Sequence, residues 1–157
     1  MKALSVLWRA LLAFALLPIP VAHADILVIN QKIRDGGLQY AVNEVLFNEP
    51  VHHPPPPQGL YLELLGRVSN VGNLPLTYNA AYQNVVDKRG RVFAPTLWVP
   101  TDPELASVTE SINPGNEIML FLYFDVPTGS QITDYTLVWR ESALSSSKTL
   151  KLVKSQG

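Results

Sequence analysis

The sequence predicts an all-β protein, an antiparallel β-sandwich of seven to nine short strands. Three observations carry that expectation. Several segments alternate apolar and polar residues with period two, and none shows a long amphipathic helical period. Turn-forming Gly, Pro, Asn and Asp residues separate these segments at fairly even spacing. The apolar run Glu117 to Val126 is launched by Asn113-Pro114-Gly115 and stopped by Pro127. Proline gives no amide proton to a sheet ladder and glycine accepts positive φ, so such residues bracket strands.

The elements follow in chain order. Residues 1–24 read as a signal peptide: Lys2 and Arg9 are basic, Ala10 to Leu17 form a short apolar core, and Ala22-His23-Ala24 supply small residues before Asp25. That core falls short of the roughly 20 apolar residues a membrane span requires. Cleavage near Ala24 would leave one domain over 25–157, enough residues for one core and too few for two. Ile26 to Ile33 and Gln39 to Phe47 read as strands joined by the tight turn Asp35-Gly36-Gly37. Asn48 to Gly59, with His52, His53 and the tetraproline Pro54 to Pro57, reads as a stiff surface connection. In Leu60 to Asn70, Leu60, Leu62, Leu64 and Val68 share one face, while Glu63, Arg67 and Ser69 are expected on a wet one. Tyr78 to Val86 and Arg91 to Ala94 are expected to pair through the turn Asp87-Lys88-Arg89-Gly90. Thr101-Asp102-Pro103-Glu104 predicts one short helical turn. The strand Glu117 to Val126 comes next. Asp134 to Arg140 and Lys148 to Val153 form the last pair, around the polar loop Glu141 to Ser147.

Four motifs then stand in one order: Asn70, Gly72 and Pro75; Asp87 and Gly90 followed by Val92 and Phe93; Asn113-Pro114-Gly115; and Phe124-Asp125-Val126-Pro127. This set, over roughly Leu60 to Trp139, resembles the telokin-like, immunoglobulin-type domain of unknown function found in bacterial exported proteins and lipoproteins. The resemblance implies an immunoglobulin-like sandwich, export, and usually no catalysis; it transfers no functional residue. Many such proteins are tethered through a lipidated cysteine, and this chain has no cysteine, so a soluble periplasmic or secreted form is the expectation. The recurring residues have physical explanations within the fold. Asn70 and Gly72 are expected to permit left-handed backbone, and Asp125 to point outward and bond nearby backbone amides.

Composition narrows the function classes. The chain has 12 basic and 13 acidic residues, a formal charge of −1. Loss of Lys2 and Arg9 with the signal peptide would bring this to −3. A weakly acidic domain with no basic run is a poor ligand for nucleic acid or anionic lipid. Without cysteine there is no disulfide, and stability must come from core burial. His52 and His53 are the only imidazoles beyond residue 24. Adjacent side chains on an extended backbone point apart, and no third ligand is evident, so no metal site is assigned. Met119 would be the only sulfur left after processing, too little for a soft-metal carrier. No cofactor is predicted. Neither a Gly-x-Ser-x-Gly turn nor a His-Glu-x-x-His helix occurs. The carboxylates Asp87, Asp102, Glu104, Asp125 and Asp134 sit at turns and strand ends, where capping is their ordinary role.

One feature points to a partner. If Ile118, Leu120, Leu122, Phe124 and Val126 face the core, then Met119, Phe121 and Tyr123 face outward. Three large apolar residues on an outer sheet face are read first as a strand covered on both faces; the competing reading is a contact surface for a protein, an envelope component or a second copy of the chain. Trp98 poses the same choice between a buried ring and a ligand platform. The leading expectation is a non-enzymatic exported module binding a protein or cell-envelope component through a sheet face or the loops at one end. The alternatives are a carboxylate-based hydrolase of envelope sugars, or an inhibitor acting through the proline-rich loop.

Overall fold

The computed structural model describes residues 25–47, 55–97 and 108–153. The predicted signal peptide, His52, His53, Pro54, Trp98 and the predicted turn at Pro103 lie outside these residues. So do Asp102 and Glu104.

Ten strands and two single 3₁₀ turns make up the described residues: β1 (Asp25–Asp35), β2 (Leu38–Phe47), β3 (Leu60–Asn70), β4 (Leu76–Asn79), a 3₁₀ turn (Ala80–Tyr82), β5 (Asn84–Asp87), β6 (Val92–Phe93), β7 (Thr109–Ile112), β8 (Glu117–Val126), a second 3₁₀ turn (Ile132–Asp134), β9 (Tyr135–Trp139) and β10 (Lys148–Lys151). The count exceeds the predicted seven to nine for two reasons. The expected strand Tyr78 to Val86 is broken by the 3₁₀ turn that Asn79 caps, its Oδ1 accepting from the Ala81 amide at 2.9 Å. The short β7, which pairs with β4, was not anticipated.

All pairs are antiparallel. The first sheet has the order β1-β2-β3-β8, the second β10-β9-β5-β6, and β4-β7 form a two-stranded ribbon. The protein is an immunoglobulin-like sandwich: β3 and β8, far apart in sequence, pair in one sheet, and β5, β9 and β10 pair in the other. Inner faces of both sheets meet in one apolar cluster. Leu62, Leu64 and Val68 of β3 and Leu120, Leu122, Phe124 and Val126 of β8 face Val85, Leu137 and Trp139. The Trp139 indole ties three elements together, stacked on Tyr40 of β2 at 4.6 Å between ring centroids and on Tyr78 of β4 at 5.9 Å.

Asn70 and Gly72 differ from expectation. Neither adopts positive φ. Asn70 acts through its buried side chain instead. Its Nδ2 donates to the Leu74 and Ile112 carbonyls at 2.8 and 2.7 Å, and its Oδ1 accepts from the Gly72 amide at 2.9 Å. Glu63, expected on a wet face, is buried. It lies opposite Leu46 and Tyr123 in the register of the first sheet, and both of these are buried as well. The outer face of the sheet is therefore dry at this end.

Candidate binding groove

At the end of the sandwich where β8 stops and β9 begins, two cavities adjoin, sharing Pro127 and Thr128 in their walls. The first, about 280 Å³, is lined by the Asp87–Arg91 turn, the Pro127–Ser130 turn, Asp134 and Tyr135. The second, about 380 Å³, runs past Phe93 and Val126 to Gln58, Gly59 and Asp125.

The basic wall is organised by Asp87. Its Oδ1 accepts from the Arg89 and Arg91 amides, both at 2.9 Å, and its Oδ2 from Arg91 Nε at 2.7 Å. The Gly90 amide closes the turn on the Asp87 carbonyl at 2.9 Å, with Gly90 at φ 80°, the region glycine enters without steric cost. Burial alone would raise the Asp87 carboxyl. The hydrogen bonds from Arg91 and Arg89, with the Arg91 charge, outweigh it and hold the group below the usual carboxylate range. Lys88 reaches across to Asp134 at 2.9 Å. Two of the three cations are thus matched to acids. Arg89 is exposed, and its guanidinium has no partner among the described residues.

The opposite wall is held equally firmly. Ser130 Oγ donates to the Pro127 carbonyl at 2.7 Å and accepts from the Tyr135 hydroxyl at 2.7 Å. Burial pushes that hydroxyl above the usual phenol range. In the second cavity Asp125 accepts from the Gln58 and Gly59 amides at 2.7 and 2.9 Å, pinning the chain as it leaves the proline run. Phe93 is flanked twice, by the Arg91 guanidinium 5.6 Å from its centroid and by Tyr135 edge-on at 5.9 Å.

The carboxylates Asp87, Asp125 and Asp134 are accordingly tied into turns and ion pairs. Among the described residues, no three His, Cys, Asp or Glu side chains gather into a metal-binding group. The predicted outer stripe of β8 is graded. Met119 is 47% exposed, Phe121 is half-buried, and Tyr123 is 2% exposed. Tyr123 packs edge-to-face on Tyr61 at 5.7 Å. Tyr61 in turn donates its hydroxyl to the Pro55 carbonyl. Sequence reasoning anticipated Asp125 as an amide acceptor but missed the groove. Its two walls belong to different turns that only the sandwich brings together.

The profile of a family described as Domain of unknown function (DUF4352) matches residues 27–150. The chain belongs to that family. No curated protein matches this DUF4352 domain. Among solved structures, the domain is similar to the yjhA protein from Bacillus subtilis, with 16% identity, a TM-score of 0.59, and coverage of 80% of this chain and 98% of that one. It is also similar to MPT63, a secreted protein from Mycobacterium tuberculosis, with 19% identity, a TM-score of 0.57, and coverage of 77% and 90%. A β-sandwich protein from Clostridium difficile 630 aligns with 15% identity, a TM-score of 0.52, and coverage of 81% and 93%. At these identities the likeness shows the fold alone. Among the described residues no helix is long and apolar enough to cross a membrane.

Proposed function

We propose that this DUF4352 domain is an exported, non-enzymatic binding module that takes a protein or cell-envelope component into the groove at the β8–β9 end. The observation that carries the reading is the division of labour in that groove. Its acids are spent on structural hydrogen bonds, while Arg89, held through its backbone amide, leaves its guanidinium uncommitted among the described residues. A glycosidase would need a general acid with a raised pKa. Asp87 is held low instead. Export is supported by the signal-like composition of residues 1–24 and by the secreted status of MPT63. The division into a signal peptide and a domain over 25–157 belongs to the same proposal. So does the telokin-like character, which the order of the four motifs supports.

The test is amide mapping by NMR of the purified chain titrated with fractionated envelope extract. Perturbations should centre on residues 87–93 and 125–135 and should disappear in Thr128→Trp, which fills the shared wall. Perturbations absent from the groove in every fraction would refute the reading. A second reading places the contact on the outer face of the first sheet, in a homodimer or with a partner. Exposed Met119 beside half-buried Phe121 favours it, with Tyr123 contributing from beneath. Perturbations centred on Met119 would select that face.

A further inference from the structure

Resting on the groove reading above, we infer that the groove recognises the free C-terminal carboxylate of an extended peptide, with Arg89 as the carboxylate-binding residue. Three observations lead there. The first is charge. Lys88 and Arg91 are paired with Asp134 and Asp87, so the cavity carries one uncompensated cation, the Arg89 guanidinium. A guanidinium presents a planar fork that matches a carboxylate in two parallel hydrogen bonds.

The second is shape. The basic cavity of about 280 Å³ opens beside one of about 380 Å³ whose walls include Phe93, Val126 and Pro127, and also Asp125, whose carboxylate is turned onto the Gln58 and Gly59 amides. A ligand spanning both has an anionic end and an apolar body, as a peptide ending in aliphatic residues does. The third observation separates a peptide from an acidic sugar. Sugars favour an open aromatic face, and the one aromatic ring of the second cavity, Phe93, is taken up by the Arg91 guanidinium and the Tyr135 ring. Side chains of a peptide pack against aliphatic and proline walls without such a platform. The backbone that carries Arg89 is held in place, because its amide donates to Asp87 Oδ1 and the turn is closed by Gly90.

The experiment titrates the ¹⁵N-labelled full chain with N-acetyl-Ala-Val-Leu, as the free acid and as the C-terminal amide, and with a glucuronate trisaccharide. The free acid should shift the amides of Arg89, Thr128 and Gly129, and bind at least about tenfold more tightly than the amide. Arg89→Gln should remove that preference; the residue is exposed, so the variant should retain the parent's β-type circular dichroism spectrum. Lys88→Gln, which frees Asp134, is the second variant and should weaken the acid less than Arg89→Gln. Binding of the acid should also fall as salt rises. Equal binding of acid and amide within the groove would overturn the carboxylate inference while leaving the groove reading intact. Binding of the glucuronate trisaccharide in preference to the peptide would overturn the peptide assignment. No groove shift with any of the three probes would overturn the inference, whereas the groove reading itself stands or falls on the envelope fractions.

Discussion

Asn70 shows how much one side chain can hold. It closes β3, accepts the Gly72 amide, and donates to carbonyls of two further segments. Its backbone bridges to the 113–116 turn, through the Asn70 amide to the Asn116 carbonyl at 3.0 Å and the Gly115 amide to the Asn70 carbonyl at 2.9 Å. With the residue 1% exposed, water cannot replace these bonds, and each buried group left unpaired costs about 1–3 kcal/mol. Asn70→Ala should therefore destabilise the domain by about 2–4 kcal/mol, measured as a shift of the urea midpoint at unchanged slope. Asn70→Asp should be no better, because a carboxylate cannot donate to Leu74 and Ile112. The sequence marked Asn70 as special but pointed to the wrong property. Asparagine two residues before a glycine suggests left-handed backbone, and nothing local reveals that the Ile112 carbonyl, 42 residues on, lies within reach. Gln83 was silent for the same reason. Its side-chain amide donates to the Arg140 carbonyl at 2.8 Å and accepts from the Arg140 amide at 3.1 Å, a contact made between distant parts of the chain.

Among the elements, β8 was legible almost to the residue. Its apolar alternation is strong, and Pro114, Gly115 and Pro127 fix both ends by backbone chemistry alone. β3 matched equally well in extent, yet its outer face was misread at Glu63. Alternation reports which residues share a face, not whether a later segment covers it. Irregularities in the first sheet were invisible in the pattern. The β1–β2 register shifts between Val28 and Gln31, where Asn30 takes φ 43°, and the β2–β3 register shifts between Val42 and Glu44. These bulges bend three adjacent strands together, and Gly66 sits at the bend opposite Val42. A Cβ there would stand 2.2 Å from the Ala41 carbonyl oxygen and 2.7 Å from Tyr40 Cε2. Because the first obstacle is backbone, Gly66→Ala should cost about 1–3 kcal/mol despite adding a single methyl. Thermal unfolding followed by circular dichroism checks this, and a melting temperature equal to the parent's would contradict it.

At the scale of the molecule, the sandwich is pinned by a core that is apolar but not featureless. The Tyr40 and Tyr78 hydroxyls and the Trp139 Nε1 are buried without a hydrogen-bond partner among the described residues. Burial raises both phenols well above their usual range, and for Tyr78 the nearby Tyr40 adds to the shift. The unfolded chain releases these protons near pH 10 while the folded chain keeps them. Stability is therefore full below about pH 10 and falls above it, by roughly 1.4 kcal/mol per pH unit for each buried phenol. Urea midpoints at pH 9, 10 and 11 should fall in that order, and Tyr40→Phe, which keeps the ring stack, should flatten the decline. An unchanged slope in the variant would remove Tyr40 from the account. Fold class was readable because periodicity and turn chemistry are local. The groove was not, since its basic wall and its proline wall meet only after β5 and β8 take their places in opposite sheets.

The bulge at Asn30 has a bearing on how copies of this protein meet in a crowd. β1 ends its sheet, and a terminal strand with open amides and carbonyls invites another chain to continue the ladder. Here the strand kinks midway and presents Lys32 and Arg34 to solvent on its far half. A second molecule approaching that margin finds a broken template and two exposed cations, features that disfavour continuing the ladder into fibres without any disulfide to enforce them.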